Sequence, residues 1–303
     1  MKTLPEQVRI VEVGPRDGFQ NIKQYIPTEI KLSIIDAMAA AGIVSMEITS
    51  FVHPKAIPQM ADAVEVAEAV TGKYQDSKLR PIALVPNITG AKKAYAAGIR
   101  EISYVISASE KHNLANINRT REQSLEDLKK IIHELPQLKV RLDVATAFGC
   151  PFGGRVAKEQ IMELIAAAGQ LGVSTVILCD TIGVADPLLV YRHAAAVKAA
   201  YPGLDIGLHL HDTRGMALAN SLAGLEAGIT MFEVAVGGLG GCPFAPGAAG
   251  NSATEDLVNM LQSIGIETGI DLDTYIAAAE LVREKIQPVL TSRMVSACKY
   301  ENI

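Results

Sequence analysis

His209-Leu210-His211-Asp212 sets two imidazoles two residues apart. In an extended strand, side chains at i and i+2 point to the same face, so both rings can reach one metal ion. Asp212 is expected to stand behind one ring and orient it. Histidines also serve in structural hydrogen bonds, so the pair alone does not decide between the two roles. Arg16-Asp17 offers a carboxylate as a third ligand and, beside it, a guanidinium suited to a developing oxyanion. An ion pair closing the tight Gly14-Pro15 turn is the competing reading. A third cluster is Gly237-Gly238-Leu239-Gly240-Gly241-Cys242-Pro243, followed by Gly247-Ala248-Ala249-Gly250-Asn251. Such glycine density suits a mobile lid or a backbone that approaches a ligand closely. Cys242 sits inside it, where a thiol is better placed for proton transfer or nucleophilic attack than a buried cysteine. Cys179 and Cys298 read as small hydrophobes. Asn251 begins a helix that contains Thr254-Glu255-Asp256, either as its N-cap or with its amide oxygen on the metal. Two imidazoles, one carboxylate, one amide and water form a hard sphere that suits Mg²⁺ or Mn²⁺ better than a structural zinc.

Elements that could hold these residues alternate along the chain. β-branched runs suggest strands at Val8–Val13, Val44–Ile48, Pro81–Leu84, Glu101–Ile106, Lys139–Val144, Val173–Leu178, Asp205–His209 and Met231–Val234. Between them, Glu29–Ala41, Glu122–Leu135, Lys158–Leu171, Pro187–Ala200 and Ala217–Ala227 carry apolar residues at helical spacing. Gly42, Gly98, Gly172 and Gly228 follow helical stretches and precede strands, as helix-to-strand loops prefer. Eight such units predict a parallel sheet closed into a (β/α)8 TIM barrel. An open doubly wound sheet would more often carry a Gly-rich phosphate turn, and neither GxGxxG nor GxxxxGK[ST] occurs. The expected organisation is one catalytic domain over 1–303. Its barrel covers about 8–265, and a helical extension over about 266–303 contains one helix near Asp271–Gln287. In a TIM barrel the catalytic groups lie at the C-terminal ends of the strands. Almost every candidate above falls there.

Composition narrows the classes of function. A net charge of −5 with acids and bases interspersed offers no basic stripe for nucleic acid or an anionic membrane. Tryptophan is absent, which disfavours a base-stacking platform. No apolar run is long enough to span a bilayer. The N-terminus reads as mature protein rather than a signal or transit peptide. Four cysteines without a CxxC pair argue against a disulfide scaffold, and a cytoplasmic setting is expected.

The motifs EVGPRDGFQN, ITSFVHPKAIPQM, FGCPF, DTIGV, HLHDTRGMALAN and GGLGGCPFAPGAAGNSATEDL occur in this order. Together they resemble the 3-hydroxy-3-methylglutaryl-CoA lyase family over most of the chain. Isopropylmalate and homocitrate synthases share the Arg-Asp and HxH elements, but GGLGGCP is far more particular to the lyases. The resemblance implies a divalent-metal-dependent retro-Claisen cleavage of an acyl-CoA thioester, with Asp17, His209, His211 and Asn251 as metal ligands. It implies that Arg16 stabilises the enolate and that Cys242 moves a proton. Asp17 or His209 would take the hydroxyl proton. Glu47 and Asp180 match acids tied to activity, and Lys23 and Arg141 match basic residues near the acyl-CoA. A place in leucine degradation and a homo-oligomer, dimer or tetramer, are also implied. Ile22 stands where the family motif has glutamate, which bears on substrate detail more than on reaction type. The competing readings are a lyase for a longer 3-hydroxy-3-alkylglutaryl-CoA or citramalyl-CoA, a condensing synthase, and a non-catalytic metal- or CoA-binding barrel.

Overall fold

The computed structural model describes residues 4–241 and 250–297. Cys242 and Cys298 lie outside them. Eight parallel strands close in sequence order into a barrel. They are β1 (Arg9–Glu12), β2 (Ser45–Ser50), β3 (Arg80–Leu84), β4 (Glu101–Ser107), β5 (Lys139–Ala145), β6 (Thr175–Asp180), β7 (Asp205–Leu210) and β8 (Met231–Val234). Closure is made by β1 and β8, with Arg9 opposite Met231 and Glu12 opposite Val234. The TIM barrel expected from the alternating pattern is thus the fold. All eight expected strands are present, with ends displaced by a few residues.

Strands buried on both faces divide their side chains between two environments. Outward positions such as Ile102, Leu142 and Leu208 pack against the helical shell, where Ile34, Ile35 and Met38 of helix Thr28–Ala40 are fully buried. Each such side chain contributes about 1.5–3 kcal/mol of burial. Truncating Ile34 to Ala would therefore remove transfer energy and leave a cavity as well. Inward positions form a second, smaller apolar plug of Val11, Val13, Ile82, Ile177, Cys179, Met231 and Ala235. The remaining inward positions are charged or polar and gather toward the C-terminal mouth. They include Glu47, Arg141, Asp143, His209 and Glu233, all buried.

After β8 the chain makes a short turn at Val236–Gly238. The segment before helix Thr254–Ser263 then returns across the strand ends, pairing His211 with Asn251 and Ala235 with Ala253. The tail forms two helices, Leu272–Lys285 and Arg293–Ala297, where sequence periodicity showed one. The second is too short to show a period. It is organised by Asp256, whose carboxylate accepts from Ser292 Oγ at 2.9 Å, Arg293 N at 2.9 Å and Met294 N at 2.8 Å. Among the described residues, no helix is long and apolar enough to cross a membrane.

Candidate active site

After β1 the residues Gly14–Gly18 make one turn of π-helix, with the amides of Asp17 and Gly18 both directed at the Val13 carbonyl. Single π-turns of this kind often accompany functional sites. A side chain at position 14 would meet Val236 Cγ1 at 2.8 Å, so glycine is required there. The turn aims Arg16 and Asp17 into the barrel mouth. Asp17 Oδ1 accepts from Arg16 Nη1 at 2.6 Å and Gln20 Nε2 at 2.7 Å, and its Oδ2 accepts from Asn251 Nδ2 at 2.6 Å. Arg16 Nε also bonds Glu47 Oε2 from β2. Burial would raise the Asp17 carboxyl, but the Arg16 guanidinium and the Asn251 amide hold it below the usual range. Burial alone would lower Arg16, yet Glu47 and Asp17 raise it, so its charge is permanent.

His209 and His211 project from the end of β7, their Nε2 atoms 3.2 Å apart. Two ring nitrogens at that distance repel through their lone pairs unless a proton or a cation lies between them. Parallel register sets His209 directly opposite Glu233 on β8. Glu233 Oε2 lies 3.0 Å from His209 Nδ1, and accepting Nδ1–H leaves Nε2 as the donor for a cation. Burial, reinforced by His211, pushes His209 down to about 3, so the ring is neutral at physiological pH. Asp17, His209 and His211 each offer one donor atom, all within 4.8 Å of one another. Asn251 stands beside them. Its Nδ2 is used by Asp17 and by the Leu239 carbonyl at 2.9 Å, whereas its Oδ1 is buried without a partner. A buried amide oxygen left over beside two imidazoles and a carboxylate fits a hard divalent cation.

The glycine loop begins against this cluster. Gly240 has φ +116°, and a side chain there would collide with Asn251 Nδ2 and come within 3.1 Å of Asp17 Oδ2. Gly241, which precedes Cys242, lines a cavity of about 720 Å³ that opens at the mouth. Asp143, Cys179 and Glu233 line the same cavity near the ligand group, and Asn87, Asn116 and Arg119 also contribute to its wall.

Several expected residues sit elsewhere. Asp212 does not orient an imidazole; its carboxylate accepts from Ala217 N at 2.8 Å and anchors the next helix. Asn251 is not an N-cap, because the helix begins at Thr254 after Ala253. Asp180 turns away from the cavity, bonding Val184 N and Ala185 N at 3.0 Å each, and burial pushes it up to about 6. Lys23 is exposed and outside the cavity wall. Arg141 is not placed to meet a nucleotide at the surface. It faces inward from β5, is 2% exposed and pairs with Glu233 inside the barrel.

Glu233, Asp143 and Gln20 were not singled out by sequence. The available signal was charge inside otherwise apolar strands, alternating in Arg141-Leu142-Asp143 and single in Phe232-Glu233-Val234. Gln20 follows Asp17 by three residues, one helical turn.

Comparison with known proteins places this geometry. The HMGL-like family model matches residues 7–282. Hydroxymethylglutaryl-CoA lyase of Bacillus subtilis is 43% identical over 97% of this chain and 98% of its own. Its crystal structure superposes with a TM-score of 0.93, covering 98% of this chain and 99% of that one. An HMG-CoA lyase from Acinetobacter baumannii, solved in complex with coenzyme A and 3-methylmalate, is 38% identical. It has a TM-score of 0.93 and covers 100% of this chain and 99% of its own.

Proposed function

The chain belongs to the HMGL-like family of carbon–carbon lyases, and from that premise we propose that it cleaves 3-hydroxy-3-methylglutaryl-CoA to acetyl-CoA and acetoacetate. The observation that carries the reading is the convergence of Asp17, His209, His211 and the unpartnered Asn251 oxygen beside the buried Arg16. Binding of coenzyme A and a hydroxy-dicarboxylate by the Acinetobacter relative supports a CoA thioester as substrate. We assign Mg²⁺ or Mn²⁺ to Asp17, His209, His211 and Asn251. When bound, such an ion acts as a Lewis acid and template for a hydroxyl and a carboxylate.

The reaction removes the proton of the tertiary hydroxyl, breaks the adjacent carbon–carbon bond and releases a thioester enolate that must be reprotonated. Asp17 carries hydrogen-bond donors on both oxygens and is held low, which makes it a weak base. Glu233 behind Nδ1 turns the His209 Nε2 lone pair to the cation, so that lone pair is not free for a proton. We assign the hydroxyl proton to Asp17, whose carboxylate keeps further lone pairs and whose weak basicity would suffice for a hydroxyl acidified beside the cation. Arg16, kept charged and held by Glu47 and Asp17, stabilises the enolate oxygen. Cys242, which lies outside the described residues, is the residue we assign as proton donor to the departing carbon; the reading is supported by its preceding neighbour Gly241 lining the cavity. The proposal includes a cytoplasmic, homo-oligomeric enzyme acting in leucine degradation.

The direct test incubates purified protein with 3-hydroxy-3-methylglutaryl-CoA and Mg²⁺ or Mn²⁺, following acetyl-CoA and acetoacetate together. Equimolar appearance of both is the expected result. Folded protein that forms neither product with either ion would overturn the reading.

A further inference from the structure

Asp143 lies on the cavity wall, yet neither the ligand group nor the Arg16–Glu47 pair uses it. Register places it level with Ile177 and Gly207, two residues deeper along the strands than His209. It is 4% exposed, and its Oδ1 has no hydrogen-bond partner. The groups that act on it are Arg141 from its own strand, Glu47 from β2, Arg16 from the β1 turn and the Ser103 hydroxyl from β4. Cys179 of β6 feels its charge from the other side. Asp143 Oδ1 is closed to solvent, but the side chain reaches the cavity wall, and rotation about the soft Cβ–Cγ torsion presents it to the cavity. When a bound thioester fills the cavity, the carboxyl needs a partner from the ligand.

The geometry limits which ligand atoms can supply it. On the lyase reading, the tertiary hydroxyl and a carboxylate of the substrate go to the Asp17, His209 and His211 group, and the thioester oxygen goes to Arg16. The only part of the acyl group left to face the deeper wall is the remaining substituent on C3. In 3-hydroxy-3-methylglutaryl-CoA that substituent is a methyl, which would offer the Asp143 carboxyl no partner.

We propose that Asp143 is a specificity-determining residue that hydrogen-bonds a polar substituent on C3 of the acyl group, so that the chain favours a thioester bearing a hydroxyl there over one bearing a methyl alone. The proposal rests on the lyase reading and adds the acyl class it prefers. Burial, with Glu47 nearby, pushes Asp143 up to about 7 against the pull of Arg141 and Arg16. Near neutral pH the group can therefore either donate to a hydroxyl oxygen or accept from it. The chemistry is otherwise unchanged: cleavage of 3-hydroxy-3-hydroxymethylglutaryl-CoA gives acetyl-CoA and 4-hydroxyacetoacetate, with no further reactant.

The test measures kcat and KM of the wild-type protein, Asp143→Asn and Asp143→Leu on the methyl and hydroxymethyl thioesters. One hydrogen bond to a buried acid predicts a wild-type kcat/KM about ten- to hundredfold higher for the hydroxymethyl thioester. Asp143→Leu should abolish or invert that ratio, chiefly through KM, and Asp143→Asn, which can still donate and accept, should keep most of it. A wild-type ratio of one or below overturns the proposal and leaves the lyase reading intact. So does an Asp143→Leu variant that slows both substrates equally, since that would make Asp143 a support for Arg16 and Glu47. Wild-type protein inert toward both thioesters overturns the lyase reading itself. If Asp143→Leu fails to fold, the wild-type ratio and the Asn variant still decide.

Discussion

Two buried carboxylate sites share the mouth of this barrel and are built by opposite rules. Glu12, at the end of β1, accepts from Gly14 N at 2.7 Å, Val236 N at 3.0 Å and Thr254 Oγ1 at 2.6 Å, and also from Tyr275 OH. Its hydrogen-bonding capacity is filled, and the donors come from the β1 turn, the β8 turn, the start of helix Thr254–Ser263 and the tail helix. A few residues away, Glu47 Oε1, Asp143 Oδ1, His211 Nδ1 and Asn251 Oδ1 are equally buried and have no partner. Buried polar atoms are nearly always paired in folded proteins. A saturated acid is thus a knot that ties elements together. Unsaturated atoms on residues that touch the Arg16–Asp17 pair or line the cavity beside it are places kept for something the chain does not itself supply. If that distinction is right, the two sites should respond differently to removal of a ligand and of a side chain.

The largest effect is expected from emptying the unsaturated site. Chelation of bound ions, or His211→Ala, should lower turnover by about 10³-fold or more, since Lewis-acid stabilisation is worth several kcal/mol. Mg²⁺ or Mn²⁺ should restore the chelated protein but not the variant. Steady-state assays on protein verified metal-free by elemental analysis would decide this, and full activity there would collapse the distinction. Next comes Cys242→Ser, which exchanges a thiol for a far weaker acid. A fall in kcat of about 10²–10⁴-fold is expected for a positioned proton donor, with metal affinity unchanged and with Cys179→Ser as a control that keeps most of its activity. Near-normal turnover of the Cys242 variant would remove the thiol from the mechanism.

Arg16→Gln should lower kcat by about 10²–10³-fold through loss of an oxyanion donor. From sequence alone such a change would leave the fold intact. The structure alters that expectation, because Arg16 is the cation for both Asp17 and Glu47. Removing it leaves two buried carboxylates uncompensated, so a loss of roughly 3–5 kcal/mol in unfolding free energy should accompany the kinetic defect. Chemical denaturation would measure it. Rescue of stability by Arg16→Gln combined with Glu47→Gln would show that the loss is electrostatic.

Residues whose position follows from local pattern were legible in the sequence. The HxH pair needs only the two-residue period of a strand, and Arg16-Asp17 needs only a turn at a strand end. The barrel itself follows from repeated strand–helix alternation. What stayed hidden depends on neighbouring strands. Asp212, adjacent in sequence, is the partner that spacing suggests for a histidine, but the residue that holds His209 is Glu233, brought opposite by the β7–β8 register. No spacing within one strand reveals that pairing. Asn251 stands beside Asp17 because the chain returns over β7 and pairs it with His211, a placement that neither a helix cap nor local spacing reveals. The partners of Arg141 and Asp180 were likewise hidden: Arg141 pairs across the barrel with Glu233, and Asp180 accepts from the backbone of Val184.

The saturated knot predicts a different kind of defect. Glu12→Ala removes the acceptor of two backbone amides, Thr254 and Tyr275 at once. A loss of about 3 kcal/mol in stability is expected. At temperatures where the variant remains folded, its affinity for metal should match wild type. Calorimetric unfolding and metal titration of the same preparation separate the two quantities. Weakened metal binding in a folded, stable variant would mean that Glu12 belongs to the site and is not architecture.

Glu233 lies between the two classes and yields the smallest expected effect. Its Oε1 is paired with Arg141 and its Oε2 with His209 Nδ1, so both oxygens are engaged as in Glu12, but one of them holds an imidazole of the candidate metal group. Glu233→Gln keeps the shape and one carbonyl oxygen. If that oxygen turns toward His209, Nδ1–H stays satisfied but the ring loses the charge that raises the basicity of Nε2. If it turns toward Arg141, the imidazole loses its orientation. Either way the ligand is weakened rather than lost, and partners of this kind typically account for about 10–100-fold in metal affinity. Isothermal titration with Mn²⁺ should therefore show weaker binding by that factor, with little change in KM at saturating metal. The expected order is His211→Ala, no measurable site; Glu233→Gln, a weakened site; Glu12→Ala, an unaltered site in a less stable barrel. Unchanged Mn²⁺ affinity in Glu233→Gln would show that the strand register alone orients His209. The division between saturated and unsaturated acids would then mark position in the barrel and not function.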